Sequence, residues 1–168
     1  MKLQHKLLVF FFSLLISTFS FAQKKVTSPA ETVTGKINGA TITIKYGSPS
    51  VKGRAIWGAL VPYDKVWRAG ANDATTFETD KTITIEGKQL PAGKYSFFVI
   101  PNENESIIIF NKEAKQWGSY DYKASSDQLR VTVKNENGDA LVEKLEYKIM
   151  ETRIELLWEK LIIGFEVK

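Results

Sequence analysis

Asn38-Gly39 stands between Thr32–Ile37 and Ala40–Tyr46, and in the second run Ile42, Ile44 and Tyr46 alternate with Thr41, Thr43 and Lys45. An Asn-Gly pair readily takes the two positive φ angles of a type I′ turn, whose twist matches that of paired strands. Apolar residues at every second position give a strand one buried face. Residues 32–46 are therefore predicted to form a β-hairpin. The same signature at Asn137-Gly138, between Leu129–Val133 and the alternating Leu145–Ile149, predicts a second hairpin with a longer loop.

Period two recurs in Thr82–Ile85 and Lys94–Ile100, which the turn-rich Gly87–Gly93 joins. Ile107–Phe110 is apolar throughout, as a central strand covered on both faces requires. Towards the C-terminus Ile154, Leu157, Trp158, Leu161 and Ile162 fit helical spacing. Ile154, Leu156 and Trp158 also alternate, as do Ile163, Phe165 and Val167, with Glu159-Lys160 as a turn between them. Agreement with the rest of the chain favours the two strands. The expected fold is all-β: an antiparallel β-sandwich or partly closed barrel of about 8–10 strands with one long irregular segment.

The first residues carry Lys2 and Lys6, then the apolar block Leu7–Ile16, then Ser20-Phe21-Ala22. A basic end, a short apolar core and small residues two apart are the pattern of a secretory signal peptide. Cleavage is expected after Ala22, which gives a signal peptide over 1–22 and a single β domain over 23–168. The apolar block is shorter than the roughly 20 residues that span a bilayer, and no cysteine follows it to take a lipid. The expected protein is exported, periplasmic or secreted, with no membrane insertion after cleavage. Of 168 residues, 146 remain, a common size for one domain. Without Lys2 and Lys6, 21 basic residues stand against 19 acidic, interleaved along the chain. That distribution predicts no nucleic-acid partner and no polybasic membrane patch.

His5 is the only histidine and leaves with the signal peptide, and the chain has no cysteine. Ser-His-Asp and Cys-His catalysis, zinc sites and imidazole- or thiolate-bound haem thus lack their residues. No cofactor and no metal are expected, although a calcium site built from separated loops stays open. Gly87–Lys94 fails as a phosphate-binding loop, because five residues separate its glycines and Tyr95 stands where Ser or Thr is needed. What survives is chemistry of carboxylates, Lys, Tyr and hydroxyls.

Ser48–Asp73 has no regular period, and an irregular stretch of that length is commonly functional or packed down by its own side chains. Ile56, Trp57, Leu60, Val61, Tyr63, Val66 and Trp67 could cap one end of the core. Arg54, Trp57, Lys65, Trp67, Arg68 and Asn72 instead combine aromatic platforms with charged and amide forks, the means by which a groove holds a sugar, an anionic group or a peptide. Trp117 and Tyr120, in Gln116–Tyr122, form a second such cluster. These eight residues are the candidate ligand-binding set.

The motifs Ser48–Arg54, Trp57-Gly58, Leu60–Tyr63, Val66–Asn72, Leu90–Tyr95 and Gln116–Gly118 resemble those of the bacterial domain-of-unknown-function family 2911, found in exported proteins of Bacteroidetes-type bacteria. The resemblance covers Ser28–Lys168. It implies a bacterial source and a periplasmic or secreted location, and it implies no activity. Ala69 stands where the family form would have Thr, so no role for that hydroxyl applies here. The leading expectation is a binding or structural domain whose partner is a small molecule, glycan, peptide or cell-envelope material. One alternative is a carboxylate-dependent hydrolase such as a glycosidase, drawing on Asp64, Asp73, Glu78 and Asp80. Another is an assembly module that pairs through an open strand edge.

Overall fold

The computed structural model describes residues 28–168. The expected signal peptide over 1–22 and its expected cleavage site lie outside them. Nine strands follow in order: β1 Ala30–Ile37, β2 Ala40–Gly47, β3 Thr75–Thr79, β4 Ile83–Ile85, β5 Lys88–Leu90, β6 Gly93–Pro101, β7 Glu105–Asn111, β8 Asp127–Ile149 and β9 Arg153–Glu166. Seven of them form one antiparallel sheet in the order β1-β2-β3-β6-β7-β8-β9, curled into a half-barrel, and β4 pairs with β5 in a small second sheet. The partly closed barrel is the member of the expected pair that forms.

The first hairpin is as predicted: Ile37 faces Ala40 across Asn38 and Gly39, at φ 49° and 76°. The inner wall then fills by alternation. Ile42 and Ile44 point into the core with Phe77, Phe97, Phe110, Trp158 and Phe165. The ring of Phe110 meets Phe77 edge-on at 5.0 Å and Phe97 at 5.3 Å, geometry that aromatic quadrupoles favour. β6 and β7 are covered on both faces, as the unbroken run Ile107–Phe110 requires: Phe98 and Ile109 pack outward under Val66, Ile100 and Tyr122.

Two expected turns are corrected. Asn137-Gly138 is no hairpin: β8 runs through it, with Asn137 opposite Leu161, and neither residue has the positive φ of a type I′ turn. The chain reverses instead at Met150–Arg153, closed by the Met150 amide on the Arg153 carbonyl at 2.8 Å. Glu159-Lys160 is likewise not a turn between two strands but an irregularity inside β9, where Glu159 has φ 58° and the register shifts opposite Val142. Across this irregularity the buried face changes from Ile154, Leu156 and Trp158 to Leu161, Ile163 and Phe165, while the additional residues of the mismatched register lie on β8. That flip is what gave β9 its helix-like spacing.

The curled sheet is sealed by irregular chain. Just past β2, the Leu145 amide donates to the Pro49 carbonyl and the Val51 amide to the Glu143 carbonyl, at 2.9 and 2.8 Å, laying Pro49–Val51 along the distal half of β8. At the other edge Thr84 and Lys168 exchange two backbone hydrogen bonds. Gly47, where β2 ends, sits so close to the irregular segment that a Cβ there would lie 2.2 Å from the Ala71 carbonyl oxygen. Gly47→Ala should therefore destabilise the fold by at least about 2 kcal/mol, since backbone must move to admit the methyl group. Gly53→Ala, with nothing within 4 Å of its Cβ, should cost about 1 kcal/mol of left-handed backbone strain. Thermal unfolding checks the pair, and equal shifts would contradict the close approach.

Candidate functional site

Chain between β2 and β3 contains no regular element, in keeping with its aperiodic sequence, and three anchors hold it. Trp67 pairs with Val99 of β6 through backbone hydrogen bonds of 2.8 and 2.9 Å. Its ring stacks on Trp158 at 6.0 Å, and Trp57 meets it edge-on at 5.6 Å. The carbonyl of Ala69 accepts two hydroxyls, from Tyr147 at 2.8 Å and Thr75 at 3.0 Å. Burial pushes the Tyr147 phenol well above its ordinary range, so the bond is made by the neutral donor. Positive φ at Ala69 and Asn72, 53° and 66°, turns the chain outward between these anchors.

Two cavities open on either side of the resulting ridge, Ala71-Asn72, which lines both. The smaller has a volume of about 390 Å³ and is lined by Lys52, Arg54, Trp67, Arg68, Asn72 and Trp158, with no carboxylate among its walls. The larger is a groove of about 740 Å³ over the outer face of β1, β2, β3 and β6. Lys45, Lys94 and Lys115 line it together with Glu31, Asp73, Gln116 and Trp117. A backbone bridge between Asp73 and Trp117, with the Ala74 amide on the Gln116 carbonyl at 3.0 Å, pins the β7–β8 connection to the ridge.

The candidate residues thus divide. Arg54, Trp67, Arg68 and Asn72 converge on the smaller cavity, and Asn72 and Trp117 on the groove. Trp57 stands behind Trp67 and donates its indole N–H to the Trp158 carbonyl, so it is packing rather than wall. Lys65 is exposed and lines neither cavity. Tyr120 is 82% exposed and also lines neither, but its ring flanks Gly118, whose other neighbour is the Arg68 guanidinium. Trp158, Lys52 and the groove lysines were missed. Lys45 and Lys94 are outward strand residues that no sequence pattern separates from a solvated face.

Hydrogen bonding distinguishes the two arginines. Arg54 donates to the carbonyls of Ser50 and Val51, clamping its own loop. The Arg68 Nε is buried with no hydrogen-bond partner in the protein. Only Gln116 Oε1, Trp158 Nε1 and Arg153 Nε share that condition among the described residues. Arg153 Nε still lies 3.0 Å from a Glu155 carboxylate oxygen. The other three belong to residues that line the cavities, and buried polar groups without partners are rare enough to require a cause.

Of the acids considered for hydrolysis, only Asp73 lines a cavity. Asp64 accepts from the Asn102 amide, Glu78 lies 3.8 Å from Lys94, and Asp80 accepts from the Thr41 amide, a bond that lowers its pKa. Among the described residues no group of three or more carboxylates is placed to hold a metal ion, and no helix is long and apolar enough to cross a membrane.

Arg54→Ala should lower stability by about 1–2 kcal/mol through two lost loop bonds, whereas Arg68→Ala should leave the melting temperature within about 2 °C of the parent, since no bond is lost. Differential scanning calorimetry of both variants checks this, and a larger fall for Arg68→Ala would make it the structural one. Alkaline titration isolates Tyr147. The unfolded chain releases that proton near pH 10 and the folded chain holds it, so stability falls as pH rises above about 10. Tyr46, Tyr95 and Tyr122 are also raised by burial and add to the slope. Tyr147→Phe should flatten the fall measured by urea unfolding between pH 9 and 11, and an unchanged slope would contradict its burial.

A family model described as a protein of unknown function, DUF2911, matches residues 28–167. No curated protein and no solved structure matches the chain. The match spans the whole described β domain, and the chain belongs to domain-of-unknown-function family 2911.

Proposed function

We propose that this domain is an exported binding module that captures an anionic group in the smaller cavity. The observation that carries the reading is the composition of that wall: Lys52, Arg54 and Arg68 with no acid among the lining residues. An anion set among these side chains is attracted by all three cations, and most strongly by the half-buried Arg68, which water screens least. Trp67 and Trp158 supply an apolar floor on which such attraction gains strength relative to bulk water. Arg54, already tied to Ser50 and Val51, gives the wall rigidity and contributes its field.

Catalysis finds less support. A glycosidase needs two carboxyl groups across one cleft, and the expected acids reach the cavities only through Asp73.

Galacturonate, with galactose as its neutral counterpart, tests the proposal by isothermal titration calorimetry. Galacturonate should bind and galactose should not. Arg68→Ala should weaken binding about tenfold or more, since a charge-assisted hydrogen bond is worth about 1.5–3 kcal/mol. Equal binding of the two sugars, or galacturonate binding that ignores Arg68→Ala, would overturn it.

A further inference from the structure

We infer that the larger groove is a saccharide subsite continuous with the anionic cavity, so that the ligand is an acidic oligosaccharide laid across the Asn72 ridge with one ring on Trp117. This rests on the anion-binding reading above and names its ligand.

Trp117 is the starting point. Its backbone is fixed by the bridge to Asp73, yet its side chain is 60% exposed and forms part of the groove wall. A large indole face held at the surface by a rigid backbone loses little freedom when a ring stacks on it. Around it the groove changes character from the cavity beyond the ridge. Glu31 and Asp73 offer acceptors, and Lys45 and Lys115 offer donors. Sugar hydroxyls both donate and accept, so they match a mixed wall, and three lysines against two acids leave that wall net positive for the carboxylate of a uronate ring.

Placement on the sheet argues against a peptide. Lys45 pairs with Thr32 on β1 and with Thr76 on β3, and Thr76 pairs with Ser96 on β6, so the groove floor is the face of a fully paired sheet. An extended peptide gains its main-chain hydrogen bonds at an open edge, and the paired floor of β2, β3 and β6 offers none, the sheet's open edge at β1 lying at the rim of the groove. Over that floor recognition comes from side chains and a stacking face. The volume of about 740 Å³ lies within the roughly 300–1,000 Å³ of small-molecule sites.

Asn72 joins the two halves. It lines both, and its Nδ2 donates to the Ser28 carbonyl at 3.2 Å, which leaves its Oδ1 available to a ligand hydroxyl. A uronate chain would set one carboxylate among Lys52, Arg54 and Arg68 and the next ring over Trp117.

The test compares galacturonate with tetragalacturonate by calorimetry on the parent, Trp117→Ala and Tyr120→Ala. Linking two subsites raises affinity without new contacts at either, so the tetramer should bind at least ten times more tightly than the monomer. Trp117→Ala should abolish that gain while leaving monomer affinity within twofold, and Tyr120→Ala, which alters an exposed ring outside the groove, should change neither. Monomer binding that depends on Arg68 but gains nothing with chain length, or a gain that survives Trp117→Ala, would overturn the inference and leave the anionic cavity standing. Binding of neither probe, or binding indifferent to Arg68→Ala, would overturn the anion-binding reading and the inference with it.

Discussion

One backbone carbonyl ties the site to the fold. Ala69 is fully buried, and its oxygen receives hydroxyls from Thr75 at the start of β3 and from Tyr147 near the end of β8. Those strands lie on opposite sides of the curled sheet, three places apart in its order. The bonds therefore report the curl as well as the loop: only when β8 bends back over β2 and β3 can Tyr147 reach Ala69. Tyr147 also packs edge-on against Tyr46 at 4.8 Å, filling the space that the bend creates. Once Ala69 is held, Trp67 on one side lies against the sheet and Arg68 faces the loop around Gly118. The ridge at Ala71-Asn72 follows, because Gly47 and Gly70 let the backbones meet without side chains between them.

Much of the fold was legible where one local rule decided the outcome. Asn38-Gly39 had strands of matched length on both sides, so turn chemistry and pairing agreed. Ile107–Phe110 read as doubly covered because no polar residue interrupts it. Asn137-Gly138 carried the same dipeptide and failed, since β9 is long enough to pair with β8 on both sides of it. Partner length is not written locally. Glu159 shows the complementary error, for a positive φ serves a turn and an irregularity within a strand alike, and only the pairing of Val142 with Glu159 says which.

The site divides along similar lines. Arg54, Trp67, Arg68 and Asn72 could be grouped beforehand because they lie in one segment, and a segment folded onto one end of a sheet keeps its residues together. Trp57 was legible as an aromatic but not as packing, since its place behind Trp67 depends on Trp158, 101 residues away. The groove lay outside reach altogether. Its lysines come from β2, β6 and the β7–β8 connection, and become neighbours only through the strand order.

The rigid and adaptable parts of this domain are thus assigned to different bonds. Phe77, Phe97, Phe110 and Phe165 carry the sheet through burial that needs no ligand. The wall of the smaller cavity is the reverse case, because Arg68 Nε and Trp158 Nε1 are buried there without partners, which costs stability. Such a region persists only when its surroundings over-determine it, and here they do: Trp67 is bonded to Val99, Ala69 to two hydroxyls, and Pro49–Val51 to β8. Without such anchoring, buried groups that lack partners could relax by turning to water. Arg68 cannot do so freely, since its Nε is buried beneath the Gly118 loop. The cost therefore stays in the folded domain, held there by the anchored segment around it.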